Sequence, residues 1–545
     1  MRTRIAGGRV IDPAHGRDGV GDVWIEDGRI IAPPPPGTTA DATYDASGSI
    51  VMAGAIDIHS HIAGWNVNTA RLLLPEFHRA AAARPAATPL SNAGWSTFAT
   101  GCLYAQMGFT TVVEPAVSPH YALHAHLELA DIPIIDKATL AVLGNDDFLL
   151  GLMHRKESAA AMRDYVAWTL AATRSLGIKV INAGGAAAFK ENVREFSFDD
   201  VVPSYGVSSR EIVKTLQRAV NDLGVPHPLH VHCNNLGIAG SADSALATIA
   251  AADGLPLHLA HLQFYGYGKE GQHGFSSAAA RLAEAVNAAK SVTIDVGQVM
   301  FGQTVTVSLD VLRQFTARNQ ARPRKWAILD GDANGAGIVP YNYRSADFYN
   351  AVQWAVGMEL FLLIDDPWRV FFTTDHPNGA PFTAYPEILA LLMSRDLRAQ
   401  WIATLPGDAM AVTTLPSISR EYSLIEIATM TRAAPARLLG LRDRGHLGAG
   451  AIADVAVYEN TPDRAKMFRS AALVFKHGTL VVRDGIATQR SFGRALAVQP
   501  GRDSAIDRRM KAYYDSRYGL SDDLIKVPDH AIGRPEPFEL VPCTR

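Results

Sequence analysis

Gly48-Ser49-Ile50-Val51-Met52-Ala53-Gly54-Ala55-Ile56-Asp57-Ile58-His59-Ser60-His61 is an apolar run that ends on two histidines two residues apart. A β-strand sends alternate side chains to the same face, so His59 and His61 point the same way at its carboxyl end. Neutral imidazole is a preferred ligand of zinc and related metals, and two imidazoles fixed at one strand tip make half of a metal site. A solvated or core histidine pair has the same spacing, so the reading turns on what the rest of the chain supplies.

Before this run, residues 1–52 read as short strands and turns, with Asp27-Gly28 as a hairpin signal and Pro33 to Pro36 as a loop. After it, the pattern changes. Apolar strand-like runs alternate with helical stretches from about residue 53 to 410: Thr110-Thr111-Val112-Val113-Glu114, Gly177-Ile178-Lys179-Val180-Ile181-Asn182, Pro228-Leu229-His230-Val231-His232-Cys233, Leu257-His258-Leu259-Ala260-His261, Val292-Thr293-Ile294-Asp295-Val296 and Val370-Phe371-Phe372-Thr373-Thr374-Asp375. Segments 207–223 and 277–290 between them have helical composition. Repeated β-then-α order implies a parallel sheet, and at this length a (β/α)₈ TIM barrel is the most economical solution. A doubly wound open sheet is the alternative. Gly266-Tyr267-Gly268-Lys269-Glu270-Gly271 has the letters of a dinucleotide fingerprint, but Gln272-His273-Gly274 follows where a helix should open.

From about residue 447 strands and turns return, in 448–458 and in 473–485. The expected division is therefore a small β-sandwich built from both chain ends (1–52 and 446–500), a metal-dependent (β/α)₈ barrel over 53–445, and a charged C-terminal arm over 501–545 punctuated by Pro528, Pro535 and Pro537. This arm is expected to pack on the body or on a partner.

Bulk properties narrow the function classes. A chain of 545 residues exceeds what one compact core usually organises. A formal net charge of −3 gives no electrostatic case for nucleic acid or an acidic membrane. Cys102, Cys233 and Cys543 form neither a Cys-x-x-Cys pair nor a disulfide framework, which suits a reducing compartment. The amino terminus turns polar too soon for a signal peptide, and no apolar run is long enough to span a bilayer, so a cytoplasmic protein is expected.

In a (β/α)₈ barrel, catalytic residues gather at the carboxyl ends of the strands. Lys179 falls inside a strand, where a buried ammonium is costly. It is either paired with a carboxylate or carboxylated by CO₂, its carbamate then bridging two metals. Lys190, after the Gly184-Gly185 turn, reads as loop and is the weaker candidate. His230 and His232 share a face, and the preferred ligand is His232, nearer the strand's end. His258 and His261 have opposite parity in a regular strand, so one should point outward; His261, nearer the loop, is preferred. Asp375 after its strand can be both metal ligand and general base; Pro377 and Gly379 argue for a tight loop there rather than a helix cap. His120, His124 and His126 read as surface or core, and His78 has no evident partner. Cys233 alternates away from His232 and reads as a buried thiol.

Taken together, these pieces resemble the amidohydrolase superfamily. The run 48–61 looks like its strand-one motif, with Ala53 where proline is usual. Gly7 to Asp12 with Ile25 to Ile30 looks like its N-terminal β-domain. Thr431 to Leu441, followed by Gly445 to Val455, looks like its return from barrel to β-domain. Within the superfamily, five motifs resemble the group formed by the A components of formylmethanofuran dehydrogenases and of the formyltransferase/hydrolase complexes of methylotrophs. They are His59 to Gly64, Lys179 to Gly185, His230 to Gly237, Ala260 to Gly268 and Thr374 to Gly379.

That resemblance implies two Zn²⁺ ions with a carboxylated-lysine bridge, held by His59, His61, Lys179, His232, His261 and Asp375. It supports Lys179 over Lys190 and leaves the choice within each later histidine pair unsettled. It implies a formamide hydrolase that splits N-formylmethanofuran into formate and methanofuran in one-carbon metabolism. Asp375 would move the proton, with Asn234 and Asn235 as candidates for holding substrate. The implied partners are a formyltransferase subunit, the other subunits of that complex and a methanofuran-type carrier. The alternatives are a cyclic amide hydrolase of hydantoinase or dihydroorotase type, and a non-catalytic scaffold subunit.

Overall fold

The structure, a computed structural model, describes residues 1–71, 97–308, 318–321, 337–489, 491–532 and 538–544. His78, Pro535 and Pro537 lie outside the described residues.

The apolar run 48–61 serves two sheets. Ser49–Ala53 lies in a nine-stranded sheet, parallel to Arg2–Asp12 and antiparallel to Val455–Glu459, so both chain ends meet on one strand. Ile5, Val10, Val23, Ile25, Val51, Val455 and Phe475 close the core on one side of that sheet. The chain then breaks at Gly54, where a Cβ would collide with the Thr110 side chain. Ala55–Asp57 continues as the first strand of a second sheet.

This second sheet is the (β/α)₈ barrel. Ala55–Asp57, Phe109–Val117, Asp136–Leu143, Gly177–Ile181, Leu229–His232, Leu257–Leu259, Val292–Asp295 and Val370–Phe371 pair in sequence order, every pair parallel. The last strand returns to the first through a parallel bridge between Ser60 and His376, with His61 N–H donating to His376 O at 2.8 Å. Helices follow the strands, among them Ser209–Asp222 and Ala279–Ala288 within the two segments read as helical. The capping box of Ser208 and Glu211 fixes where Ser209–Asp222 begins. The strands are buried on both faces, as an interior parallel sheet requires. The segment with dinucleotide-fingerprint letters forms a hairpin, Tyr267–Gly268 with Ser276–Ser277, and opens no helix.

The C-terminal region departs from the expected division. Ala495–Ala497 pairs parallel with Asp136–Leu143, at its amino end, and Phe538–Leu540 pairs with Ala495–Ala497. The chain thus leaves the small sheet after Ile486–Ala487 and extends the barrel sheet instead. Between these strands, helix Ala505–Tyr518 packs on Ala159–Thr173. No helix among the described residues is long and apolar enough to cross a membrane.

Candidate metal centre

A cavity of about 490 Å³ opens at the carboxyl ends of the barrel strands. His61, Lys179, His232, His261 and Asp375 line one end of it, and His59 lies fully buried beneath them. His59 Nε2 is 3.0 Å from Asp375 Oδ1 and 3.1 Å from Lys179 Nζ, and His61 Nε2 is 3.2 Å from the same Asp375 oxygen. The His261 ring stands 5.2 Å from that of His59 and 4.7 Å from that of His232. All six residues expected as ligands therefore meet at one place. Lys190 ends the helix Gly185–Lys190 on the cavity wall, outside this cluster.

Both later histidine pairs point inward, at two depths. His230 and His258 lie in register with each other, and Lys179 in register with His230. They form a lower layer, with His230 Nε2 3.1 Å from His59 Nδ1 and His258 Nε2 3.0 Å from Asp295 Oδ2. The expected outward-pointing member of the 258/261 pair does not exist, because the strand ends at Leu259. His261 takes φ +34°, in the left-handed region, which turns its ring back over the barrel.

Two carboxylates stand behind the strand-one histidines. Glu114 Oε1 is 3.0 Å from His61 Nδ1, while its Oε2 accepts the N–H groups of Ile62 at 2.6 Å and Ala63 at 3.0 Å. Asp295 Oδ2 is 2.9 Å from His59 Nδ1, and its Oδ1 accepts the His261 N–H at 2.6 Å. Carboxylates in this position fix the tautomer of a metal-binding histidine and raise its basicity. Asp375, at φ +52°, receives Asn378 Nδ2–H on Oδ2 at 2.9 Å, and its N–H donates to Thr373 Oγ1 at 3.0 Å. The Thr373 hydroxyl donates to His59 O at 2.6 Å. Glu114, Asp295 and Asn378 were not singled out in the sequence. Glu114 and Asp295 carry the same signal as the His pair, a polar residue after a run of apolar strand residues.

The donor set fits a cation. His59, His61 and Asp375 present ligand atoms within 4.8 Å of one another, all buried. His261 Nδ1 makes no hydrogen bond although it is buried, a cost that a bound ion would remove. Imidazole with carboxylate is a donor chemistry that zinc takes readily. Burial pushes the Lys179 ammonium down to about 8, against the attraction of Asp375 and Asp295. Burial would also lower His61, but Glu114 and Asp375 outweigh it and raise the group to about 9. The site thus draws positive charge. Burial opposes ionisation of Asp375, and His261 and His59 overcome it, so its carboxyl sits well below the usual range.

Asn234 and Asn235 do not join this cluster. Asn234 accepts from Ser209 Oγ at 3.1 Å and donates to Asn182 Oδ1 at 2.8 Å, and Asn235 donates to Ser244 Oγ at 2.8 Å. Their amides tie the loop after Leu229–His232 to its neighbours, and neither lines the cavity. The amides that do are Asn66, Asn145, Gln353 and Asn378. Cys233 is buried, and burial pushes its thiol up to about 12.

Known proteins share this architecture. The model of the amidohydrolase family matches residues 42–485. The A component of the formyltransferase/hydrolase complex Fhc of Methylorubrum extorquens is 52% identical, over 100% of both chains. Protein FwdA of Methanocaldococcus jannaschii is 36% identical over 96% of this chain and 97% of its own. The crystal structure of the Methylorubrum extorquens complex with methylofuran contains a chain that superimposes over 100% of both, with a TM-score of 0.93. A strand-one His pair, a buried lysine on the fourth strand, histidines on the fifth and sixth and an aspartate after the eighth, on a chain matched along its whole length, lead to one conclusion: the chain belongs to the amidohydrolase family.

Proposed function

We propose that this chain hydrolyses the formyl C–N bond of an N-formylated methanofuran-type carrier. It would do so as the A component of a formyltransferase/hydrolase complex. The observation that carries the proposal is the convergence of His59, His61, Lys179, His232, His261 and Asp375 at one end of a cavity. The chain that presents them matches the A component of the Methylorubrum extorquens complex end to end.

Those six residues, Lys179 as its carbamate, would hold two zinc ions, which supply an activated water and an electrophile for the formyl oxygen. Asp375 is the base of the reaction. Its Oδ1 takes the proton of the attacking water and returns it to the nitrogen as the C–N bond breaks, because an unprotonated amine is a poor leaving group. Water adds to the formyl carbon, the electron pair of the C–N bond stays on nitrogen, and the products are formate and the free amine. Asn378, bonded to Oδ2, keeps Oδ1 turned toward the histidines during this shuttle.

Purifying the native assembly, measuring its metal content and assaying formate release from the formylated carrier tests this reading. Hydrolysis of hydantoins or dihydroorotate, with none of the formyl carrier, would overturn it in favour of a cyclic amide hydrolase. Retained complex activity after loss of the metal would favour a scaffold.

A further inference from the structure

A closed barrel needs its last strand to meet its first, and here that seam carries little backbone pairing. Among the described residues, Ala55–Asp57 ladders only with Phe109–Val117, and Val370–Phe371 only with Val292–Asp295. A single bridge, Ser60 with His376, joins the two across the seam. Yet three of the proposed ligands face each other over it. His59 Nε2 and His61 Nε2 come from the first strand, and they lie 3.0 and 3.2 Å from Asp375 Oδ1, which follows the last.

The Thr373 side chain stands where the ladder is missing. It is fully buried, its hydroxyl donates to His59 O at 2.6 Å, and its oxygen accepts the Asp375 N–H at 3.0 Å. In a parallel ladder a carbonyl takes a backbone N–H of the neighbouring strand directly. Here a hydroxyl lies between carbonyl and N–H, and it touches the main chain of a proposed ligand on each side. Thr373 is itself anchored, because its C=O accepts the Gln298 N–H at 2.9 Å. The other backbone group of His59 is also held by a side chain. Asp57 Oδ1 accepts its N–H at 3.0 Å, while Asp57 Oδ2 accepts the hydroxyls of Tyr104, at 2.9 Å, and of Tyr385. The Tyr385 hydroxyl in turn lies 3.4 Å from Thr373 Oγ1. The hydrolytic chemistry uses none of these groups. Thr111 in the second strand offers a contrast: it is equally buried, but its Oγ1 makes no hydrogen bond.

We propose that Thr373 is a positioning residue of the metal centre. Its hydroxyl sets the spacing of His59 and Asp375 across the barrel seam, and with it the geometry in which the cation and the base are held. Removing the hydroxyl leaves a buried carbonyl and a buried N–H without partners. Each can regain one only if its main chain, and the ligand on it, shifts. The effect on turnover rests on the formamide-hydrolase reading; the effect on the metal does not.

The test uses the full-length protein with whatever partner chains accompany it, stripped by a chelator and titrated with Co²⁺, whose visible absorption follows ligand geometry. Thr373→Val keeps the shape of the side chain and removes the hydroxyl. Its Co²⁺ affinity should fall by about 10- to 100-fold and its visible spectrum should change, while near-ultraviolet circular dichroism stays native. Thr373→Ala makes the same cut without the risk of added bulk and should shift both in the same direction. Thr373→Ser keeps the hydroxyl and should restore both. Thr111→Val should match the wild type. At saturating metal, the loss of turnover in Thr373→Val should fall on kcat and not on KM, since no contact with substrate is removed. A threonine that only closes the barrel would lower thermal stability and leave Co²⁺ affinity and spectrum unchanged. That result, or an equal loss in Thr373→Ser or Thr111→Val, would overturn the proposal. If no formamide is hydrolysed but Co²⁺ binding depends on the Thr373 hydroxyl, the positioning role stands and the hydrolase reading fails. If formamides are hydrolysed and Thr373→Val binds Co²⁺ as the wild type does, the reverse holds.

Discussion

Asp295 joins two histidines from different parts of the barrel: its Oδ2 lies 2.9 Å from His59 Nδ1, and its Oδ1 accepts the backbone N–H of His261 at 2.6 Å. One carboxylate therefore sets the ring of the first and the left-handed turn of the second. Burial opposes its ionisation, and His59 and His258 overcome that, which holds the group well below the usual carboxylate range. We expect Asp295→Asn to lower metal affinity by about 10- to 100-fold while the fold persists. Competition with a chromogenic chelator reads the affinity, and near-ultraviolet circular dichroism reads the fold. An unchanged affinity would mean that Asp295 orients neither residue.

Glu114 makes four contacts with two oxygens, His61 and the Ala116 N–H on Oε1 and the N–H groups of Ile62 and Ala63 on Oε2. Gln has one oxygen and one NH₂, so Glu114→Gln must give up either the backbone pair or the histidine. Metal affinity and kcat should fall together, by about 10-fold or more. Isotope-loaded metal exchange checks the first and the formate assay the second.

The architecture was legible because apolar runs recur with helices between them, five of the six proposed ligands because each ends or follows such a run, and Lys179 because a charged side chain inside a buried strand is costly. Other features were hidden for specific reasons. The division of the run 48–61 at Gly54 depends on Thr110, more than fifty residues away. The inward turn of His261 requires knowing that its strand stops at Leu259, since a regular strand gives the opposite parity. Asp295 ends its strand and Glu114 closes the apolar part of its own, but a carboxylate there looks the same whether it holds a metal or a histidine. Nothing local in Ala495–Ala497 says which of two sheets it will join; the edge left open at the amino end of Asp136–Leu143, whose pairing with Gly177–Ile181 begins only at Leu140, decides that.

Asp136 anchors that same edge. Its Oδ2 meets Arg444 Nε at 2.9 Å and Lys476 Nζ at 2.8 Å, Lys476 also meets Asp454 at 2.6 Å, and Arg444 meets Glu539 at 2.8 Å. The barrel, the small sheet and the C-terminal strand are thus tied through one buried cluster. Burial raises the Asp136 carboxyl, but Lys476 and Arg444 outweigh it and hold the group well below its ordinary value. A carboxyl depressed in the folded state binds its proton more readily when unfolded, so its contribution is complete above about pH 4 and is lost as pH falls toward the folded value. Asp136→Asn should therefore cost about 3–5 kcal/mol at pH 7, and its gap from the wild type should narrow below pH 4. Urea unfolding at pH 7, 5, 4 and 3 measures this. A gap independent of pH would show that the ion pairs are not its source.

Lys179 is proposed to act as a carbamate, which forms from the neutral amine. Burial lowers the group to about 8, so an appreciable neutral fraction exists near neutral pH, and that fraction grows as pH rises. Metal loading of chelator-stripped protein should then depend on bicarbonate in the wild type. In Lys179→Arg, whose guanidinium stays charged, loading should be weak and indifferent to bicarbonate. Bicarbonate-independent loading of the wild type would remove the carbamate from the proposed site.

Asp375 is best tested by a change that alters proton chemistry and little else. Its backbone lies at φ +52°, a conformation that Asn accepts more readily than most residues. Asp375→Asn therefore avoids the backbone strain that Ala would add. The amide keeps an oxygen that can face His59 and His61, but it cannot take a proton. Metal should remain largely bound, while kcat for formate release falls by about 10²- to 10⁴-fold, the usual contribution of a positioned base. Measuring metal content and turnover on the same preparation separates the two roles. Loss of metal along with activity would make Asp375 chiefly a ligand, and near-normal turnover with metal in place would assign the proton transfer to another group.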